Sequence, residues 1–208
     1  MPGTPQLVDP GDESEFAFAR FVSLLGITPN SAGTFCPDKG ASLESAWTDW
    51  AERYFSPVLA PAFVSAFRYG MESKSEEIAE TDRDLATQLP DDLALRSREA
   101  GIPFFEGKDE MKANRVWTRY ADAVEEGNSP GNLPVVFALQ SALFQLPLSS
   151  ALGSYAWFEF RSRKHGAIQK SAGDGEKAVF SRILPKVTVA VAGKFGDFGK
   201  DSGPLRAV

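Results

Sequence analysis

The clearest helical pattern in the sequence is Trp47-Thr-Asp-Trp-Ala-Glu-Arg-Tyr-Phe-Ser-Pro-Val-Leu59. Its apolar residues recur at intervals of three and four, which places them on one face of an α-helix and on no face of a β-strand. An aromatic stripe at this spacing is more often core than a ligand box or a protein interface. Pro57 and Pro61 interrupt the pattern, and a proline deep within a helix costs about 3 kcal/mol. We therefore predict that one helix ends near Phe55 and that a second begins near Pro61.

An all-α fold is predicted, a helical bundle of about eight to ten helices, because the same periodicity recurs along most of the chain. Besides the two helices near Pro57, it predicts helices at about residues 15–25, 75–88, 91–105, 109–126, 135–145, 148–161 and 175–184. The helices at 135–145 and 148–161 are joined through Leu146-Pro147 and are rich in Phe, Leu and Trp. We expect these two helices at the centre of the bundle.

A single all-α domain is expected over residues 14–192, with flexible tails at residues 1–13 and 193–208. Two segments dense in Pro, Gly, Ser and Asn, residues 27–40 and 127–134, predict irregular connections within this domain. Residues 186–192 have the composition of a β-strand, but a lone strand would have no strand to pair with. A helix is therefore expected there as well.

The composition excludes several classes of protein. The chain has 208 residues, of which 43% are hydrophobic, so it can form a core without disulfide bonds. Its one cysteine, Cys36, and its one histidine, His165, cannot form an internal disulfide or a Cys/His zinc site. No secretory signal is evident, and the most apolar stretch, residues 133–148, is too short and too often interrupted to span a membrane. We therefore expect a cytoplasmic protein without a membrane partner.

The charge distribution favours protein partners over nucleic acid. The net charge of −6 repels phosphate backbones, which argues against nucleic-acid binding. Acidic residues are concentrated within residues 72–92, whereas Arg161, Arg163, Lys164 and Lys170 form a basic cluster. Each segment could recognise a protein of opposite charge, or could be a solvated helix surface without a partner.

A catalytic centre is not predicted. No loop has the Gly-x4-Gly-Lys-Ser/Thr spacing that holds nucleotide phosphates, and His165 lies among basic residues where a surface position is expected. The carboxylate pairs are Asp82 with Asp84, Asp91 with Asp92, and Glu125 with Glu126. Acid–base catalysis needs carboxylates held in a cleft, whereas neighbouring carboxylates on helices are ordinarily solvated. We therefore expect a protein that is not an enzyme, with no catalytic residue, no cofactor and no metal site.

Three groups of motifs occur in order between about residues 20 and 190. The first comprises Phe21-Val-Ser-Leu-Leu25, Gly33-Thr-Phe35 and Lys39-Gly-Ala-Ser-Leu-Glu-Ser-Ala46. The second comprises Glu80-Thr-Asp82 and Leu95-Arg-Ser-Arg-Glu-Ala-Gly101, and the third comprises Gly131-Asn-Leu-Pro-Val-Val-Phe-Ala138 and residues 148–161. In order and approximate spacing, these motifs resemble the urease accessory proteins of the F type. Asn132 and Ala138 stand where that family has a histidine and a glycine, and its closing His-Glu and Arg-Leu-Phe motifs are missing.

The resemblance implies a non-catalytic all-α scaffold, usually a homodimer, without a cofactor or a bound metal. Members of this family bind a D/H-type urease accessory protein through their helices and C-terminal tail. That pair recruits the nickel-carrying G-type GTPase and docks it onto the urease apoprotein. The resemblance therefore implies a role in the assembly of the nickel enzyme rather than in its reaction.

Twelve positions are implied as partner-binding residues when the family motifs are transferred onto this sequence. They are Phe35, Leu43, Glu44, Arg96, Ser97, Gly101, Gly131, Pro134, Phe137, Arg161, Phe195 and Phe198. Most of them also have a structural explanation, because glycine and proline shape turns and phenylalanine fills cores. Arg161, Phe195 and Phe198 lack such an explanation, so an interface role is expected most strongly for these three.

Two alternatives stay open on the sequence alone. One is a helical adaptor or chaperone that serves an enzyme other than urease, which the missing histidine and closing motifs would favour. The other is a helical small-molecule-binding or catalytic protein that uses Asp and Glu side chains. This second alternative predicts buried carboxylates that converge between helices and have a raised pKa.

Overall fold

The computed structural model describes residues 33–36, 42–105 and 109–161, and every regular element within these ranges is helical. The elements are α1 (Leu43–Trp50), a π-helical segment (Ala51–Leu59), α2 (Ala60–Met71), α3 (Ser75–Gln88), α4 (Asp91–Gly101), 3-10 turns at Ile102–Phe105 and Asp109–Ala113, α5 (Arg115–Glu125), α6 (Leu133–Leu143) and α7 (Leu148–Arg161). The all-α class is confirmed. The predicted number of helices is not, because the described ranges hold six continuous helical rods and the predicted helices at 15–25 and 175–184 lie outside them. Both predicted tails also lie outside the described residues.

One continuous rod runs from Leu43 to Met71, so the predicted break between Phe55 and Pro61 is wrong. The π-helical segment makes the continuity possible, and its wider turns are shown by the Ala60 N–H, which bonds the Phe55 carbonyl five residues back. In an α-helix the ring of Pro57 would clash with the carbonyl four residues earlier, and a π turn changes that spacing. Pro61 lies in the first turn of α2, where a missing N–H costs little.

Two predicted helices are shorter than expected. The helix predicted at 91–105 is α-helical only to Gly101 and continues as a 3-10 turn through Ile102–Phe105. The helix predicted at 109–126 is α-helical only from Arg115, because Asn114 is its N-cap. The Asn114 side-chain oxygen accepts the N–H groups of Val116 and Trp117 at 3.0 and 3.2 Å.

The core is centred on α6, as the sequence predicts. Every residue from Leu133 to Ala142 is buried, and α6 packs most extensively against α2 and also contacts α4, α7 and α3. A helix that is apolar on all sides must be surrounded by other elements, and α6 is surrounded. The neighbouring α7 is also nearly completely buried along Ala151–Arg161, apart from Ser154.

Aromatic rings join the rods around this centre. Phe137 of α6 lies 5.5 Å from Tyr155 of α7 and 6.2 Å from Phe63 of α2, measured between ring centroids. A second group surrounds the start of α1, where Trp47 lies 5.0 Å from Phe35 and 5.2 Å from Phe160. These separations are in the range in which aromatic pairs add stability beyond their buried area. The expectation that the stripe beginning at Trp47 belongs to the core is confirmed.

Candidate functional site

Asp82 is a buried carboxylate at the centre of a polar network. It lies on α3 with none of its surface exposed, although the sequence suggested that it was solvated together with Asp84. Its oxygens accept the hydroxyls of Tyr120 and Ser129 at 2.8 and 2.7 Å. They also accept the backbone N–H groups of Gly131 and Asn132 at 2.6 and 3.0 Å and the Asn132 amide at 2.8 Å. Five donors thus replace the water that the carboxylate loses on burial.

The Asp82 network fixes the connection between α5 and α6. Residues 127–134, an irregular linker by sequence, are held to α3 through Ser129, Gly131 and Asn132. Burial, followed by the charge of Asp82, raises the pKa of Tyr120 well above its ordinary value, so this hydroxyl stays a donor. Gly131 adopts a φ of +76°, a left-handed conformation that glycine accepts without strain.

Five of the predicted partner-binding residues meet inside the molecule rather than on its surface. They are Ser97, Gly101, Gly131, Pro134 and Phe137, and all are buried. Gly101 lets α4 approach the 131–133 backbone, because a Cβ atom there would collide with the Gly131 carbonyl oxygen. Ser97 lies one turn earlier on the same side of α4 and is also fully buried. Their proposed contact with a partner stays a prediction, and their contacts within the chain position α4 against α6.

Glu159 is the second buried carboxylate, and it anchors the segment Thr34–Phe35 to α7. It accepts the Thr34 N–H at 2.5 Å, the Thr34 hydroxyl at 2.9 Å and the Phe35 N–H at 3.1 Å. The hydroxyl of Tyr155, one turn earlier on α7, completes the set at 2.8 Å. Burial raises the pKa of Glu159 above its ordinary value, and these hydrogen bonds act in the opposite direction. Burial and the charge of Glu159 also raise the pKa of Tyr155 well above its usual range.

A groove lies beside this anchored segment, between Thr34–Cys36, the rod from α1 into the π-helical segment, and the start of α4. We call it the α1–α4 groove; its volume is about 300 Å³. Phe35 and Arg96 both line it, so two residues that are distant in sequence and were predicted to bind a partner lie on the walls of one groove. Leu43 and Glu44 are half-buried in the first turn of α1, close in sequence to Ala46 on its wall.

Charged and aromatic side chains share the walls of the α1–α4 groove. Arg96 donates to the Asp92 carboxylate at 2.8 Å, and Arg53 and Asp49 contribute further charges of both signs. Trp50 and Tyr54 contribute aromatic surface. Mixed charges next to aromatic surface are typical of protein recognition sites, and no nucleophile–base pair lines the groove.

Arg161 does not line this groove. Arg161, at the end of α7, is 6% exposed and its guanidinium lies 5.5 Å from the centre of the Trp157 ring. This geometry is that of a cation–π contact within the chain. Phe195 and Phe198 lie outside the described residues, as does His165.

Neither a cluster of metal ligands nor a membrane-spanning helix is found in the described part of the chain. It contains no group of three or more His, Cys, Asp or Glu side chains that could hold a metal ion. None of its helices is both long enough and apolar enough to cross a membrane.

A family model decides the relationship of the chain to known proteins. The model of the UreF family matches residues 39–162, more than half of the chain and all seven of the described α-helices. The chain belongs to the UreF family. It is therefore a member of a family of urease accessory proteins whose role is not catalytic. No curated protein and no solved structure matched the chain.

Two departures of this UreF chain from the family motifs, Asn132 and Ala138, are buried. Asn132, where the family has a histidine, gives both its backbone N–H and its side-chain amide to Asp82. Ala138, where the family has a glycine, is fully buried in α6. The two substitutions are therefore compatible with the packing around α6, and Asn132 takes a defined part in the Asp82 network.

Sequence reasoning missed the structural roles of Asp82 and Glu159. A signal for Asp82 was present, because it lies four residues after Ile78 and three before Leu85, on the buried face of α3. Glu159 lies four residues after Tyr155, but α7 is buried on nearly all sides and its periodicity marks no single face. The pairing of Glu159 with Thr34 joins residues 125 positions apart, which local pattern cannot indicate.

Proposed function

We propose that this UreF-family chain is a non-catalytic assembly factor that docks the nickel-carrying G-type GTPase and a D/H-type accessory protein onto the urease apoprotein. The observation that carries the proposal is the family match over residues 39–162, which spans the whole described helical scaffold after residue 42. Nickel is the cargo of this reaction and is not a cofactor of the chain. We further propose that the protein acts in the cytoplasm as a homodimer.

The α1–α4 groove is the proposed docking surface within this scaffold. Half-buried Arg96 on its wall would contact a partner, with Phe35 forming part of the same wall. Leu43 and Glu44, half-buried in the adjoining first turn of α1, would contact the partner beside the groove. A few arginine and aromatic anchors can supply most of the binding energy of an interface. Arg161, Phe195 and Phe198 are proposed as a second contact region near the C terminus.

The buried predicted residues have an indirect role in this proposal. Ser97, Gly101, Gly131, Pro134 and Phe137 set the position of α4 against α6 and therefore the shape of the groove wall that Arg96 forms. A rigid scaffold helps because a preorganised surface loses less conformational entropy when it binds.

The proposal is tested by reconstitution with the full-length chain, a D/H-type accessory protein, the G-type GTPase and the urease apoprotein. Complex formation is followed by size-exclusion chromatography with light scattering, and urease activity is measured after nickel and GTP are added. We expect a complex that contains the chain, and activation that depends on it. Activation that is equal without the chain, or no complex at all, would contradict the proposal.

A matched pair of arginine variants tests the groove itself. Arg96→Ala should weaken partner binding by about tenfold, because it removes an anchor from the groove wall. Arg98→Ala is the control, since Arg98 is exposed on the same helix and does not line the groove, and it should change binding by less than about twofold. Equal effects of the two substitutions would place the interface elsewhere.

Glu159 has the burial and raised pKa that the small-molecule alternative predicts, but the hydrogen-bond donors of both buried carboxylates come from the chain itself. Asp82 accepts hydrogen bonds from five donors and Glu159 from four, all of them within the chain. Carboxylates that are saturated in this way have little capacity left for a ligand. The alternative of an adaptor for another enzyme is separated from the urease role by the same reconstitution.

A further inference from the structure

Glu159 does not line the α1–α4 groove, yet it binds the segment that forms part of the groove wall. Thr34, Phe35 and Cys36 all line the groove. Glu159 lies near the end of α7 with none of its surface exposed. It accepts three hydrogen bonds from Thr34 and Phe35, at 2.5, 2.9 and 3.1 Å. A residue that a partner cannot reach therefore fixes the backbone of a segment that borders the groove.

Both oxygens of the Glu159 carboxylate take part in this attachment. Oε2 accepts the backbone N–H groups of Thr34 and Phe35, and Oε1 accepts the hydroxyls of Thr34 and Tyr155. A buried N–H group that loses its acceptor costs free energy comparable to a lost hydrogen bond. If the carboxylate were removed, the segment would therefore have to move towards water to satisfy its N–H groups.

The Phe35 ring gives the same segment a second attachment. The ring is 2% exposed, and its centroid lies 5.0 Å from that of Trp47 and 5.3 Å from that of Trp50, both on α1. The ring thus holds one side of the segment to α1, while Glu159 holds its backbone to α7. Without the carboxylate, the ring can stay in the core while the backbone around it, and with it Cys36, is free to move.

The other buried carboxylate has no comparable position. The donors to Asp82 come from Tyr120 and from residues 129–132. None of these residues lines the α1–α4 groove. Attachment of the groove wall is therefore a property of Glu159 and is not shared by the buried carboxylates in general.

We propose that Glu159 is a positioning residue for partner docking, which holds the Thr34–Cys36 part of the groove wall in the shape that the partner recognises. Glu159 itself does not contact the partner. This inference rests on the proposed function, in which the α1–α4 groove is the docking surface. A wall that is held in place before binding lowers the entropy cost of association. A wall that samples several shapes lowers the apparent affinity by the fraction of time that it spends in the competent one.

Cys36 gives a direct measure of this wall in the absence of a partner. It is the one cysteine of the chain, it is exposed, and it directly follows Phe35. A nitroxide attached to its thiol reports motion of the segment through the line shape of the EPR spectrum. We expect a broad, slow-motion spectrum in the wild type and a narrower one in Glu159→Met, because methionine has a similar length but its thioether is only a weak acceptor.

Binding of the unlabelled full-length variants to the D/H-type accessory protein is measured by biolayer interferometry. Glu159→Met should weaken binding about tenfold, as expected when the competent wall is populated about a tenth of the time. Glu159→Gln is the conservative variant and should stay within about threefold of the wild type, because its amide can accept the two N–H groups and donate to the two hydroxyls. Tyr155→Phe is the control and should change binding by less than about twofold, since it leaves all three bonds to the segment.

A pair of variants at Thr34 repeats the test with a smaller change to the core. Thr34→Val removes the hydroxyl bond at 2.9 Å and should weaken binding about fivefold, with a narrower EPR spectrum. Thr34→Ser keeps a hydroxyl donor and should stay within about twofold of the wild type. Circular dichroism checks that each variant is folded.

The outcomes separate this inference from the proposed docking surface. If Arg96→Ala weakens binding but Glu159→Met and Thr34→Val do not, the positioning role is overturned and the groove remains the docking surface. An unchanged EPR spectrum in Glu159→Met, or equal losses of binding in Glu159→Met and Tyr155→Phe, would also overturn it. If neither Arg96→Ala nor Glu159→Met weakens binding, the groove is not the docking surface and the positioning role fails with it.

Discussion

At the scale of single residues, Glu159 links ionisation to the anchoring of the segment Thr34–Phe35. Burial raises its pKa above the ordinary value of 4.5, so the folded protein holds this proton more tightly than the unfolded chain does. Between the unfolded and folded pKa values, the folded state therefore binds more protons. The contribution of Glu159 to the free energy of unfolding must then fall as the pH rises through that window.

Glu159→Gln should remove this pH dependence. As the pH rises from below 4.5 to above the raised pKa, the free energy of unfolding of the wild type should fall relative to that of the variant. Urea denaturation across this pH range measures both proteins. If the wild type keeps the same stability relative to the variant across this pH range, or gains stability relative to it, the raised pKa of Glu159 is contradicted. Glu99→Gln, at an exposed position on α4, is the control for the loss of one carboxylate.

At the scale of elements, Asp82 joins α3 to α5 and to the connection that leads into α6. Tyr120 comes from α5, and Ser129, Gly131 and Asn132 come from the connection. The carboxylate therefore joins separate segments of the chain, because it accepts hydrogen bonds from the polar groups of each of them. The position of α6, and with it the centre of the core, depends on these bonds.

The neighbouring carboxylates Asp82 and Asp84 allow a matched test of this role. Asp82→Asn should lower the free energy of unfolding by at least about 3 kcal/mol, because an amide cannot accept all five donors and turns its own N–H groups towards some of them. Asp84→Asn, at an exposed position two residues later, should change it by less than about 0.5 kcal/mol. Chemical denaturation of both variants measures the difference. Similar values for the two would mean that the Asp82 network contributes little.

The rod from Leu43 to Met71 shows where local sequence rules stop being sufficient. Proline cost alone predicts a break near Pro57, yet the buried residues before and after it, Phe55 and Leu59, pack into one core. A π-helical segment keeps both of them buried, and packing decides between a break and a wider turn. Local sequence rules register the proline but not the tertiary packing. Periodicity therefore identified the helical residues but did not predict that the helix continues through Pro57.

At the scale of the whole molecule, most of the core followed from the sequence and most of the site did not. The apolar run of α6 and the aromatic stripe of α1 identify buried helices, because burial is what produces such patterns. Phe35 and Arg96, which are far apart in the chain, line the same α1–α4 groove. That arrangement depends on tertiary packing, and family motifs could indicate that both residues matter without indicating that they line one groove.

The C-terminal residues 193–208 provide a test of function that should leave the scaffold unchanged. Deleting them removes Phe195 and Phe198, the aromatic residues proposed as partner anchors, and should abolish binding to the D/H-type accessory protein. Both carboxylate networks are formed by residues before 162, so the deletion should leave the helices of the core intact. Far-UV circular dichroism of the truncated and full-length proteins compares their helical content. Co-purification with a tagged partner measures the loss.

Phe195→Ser with Phe198→Ser in the full-length chain separates the two side chains from the rest of the tail. If aromatic anchoring is the cause, this variant should lose binding as the deletion does, because serine keeps the chain length but removes the apolar contact area. Binding retained by the double variant but lost on deletion would assign recognition to other residues of the tail. Full binding by the truncated chain would remove the tail from the interface and leave the α1–α4 groove as the remaining proposed docking surface.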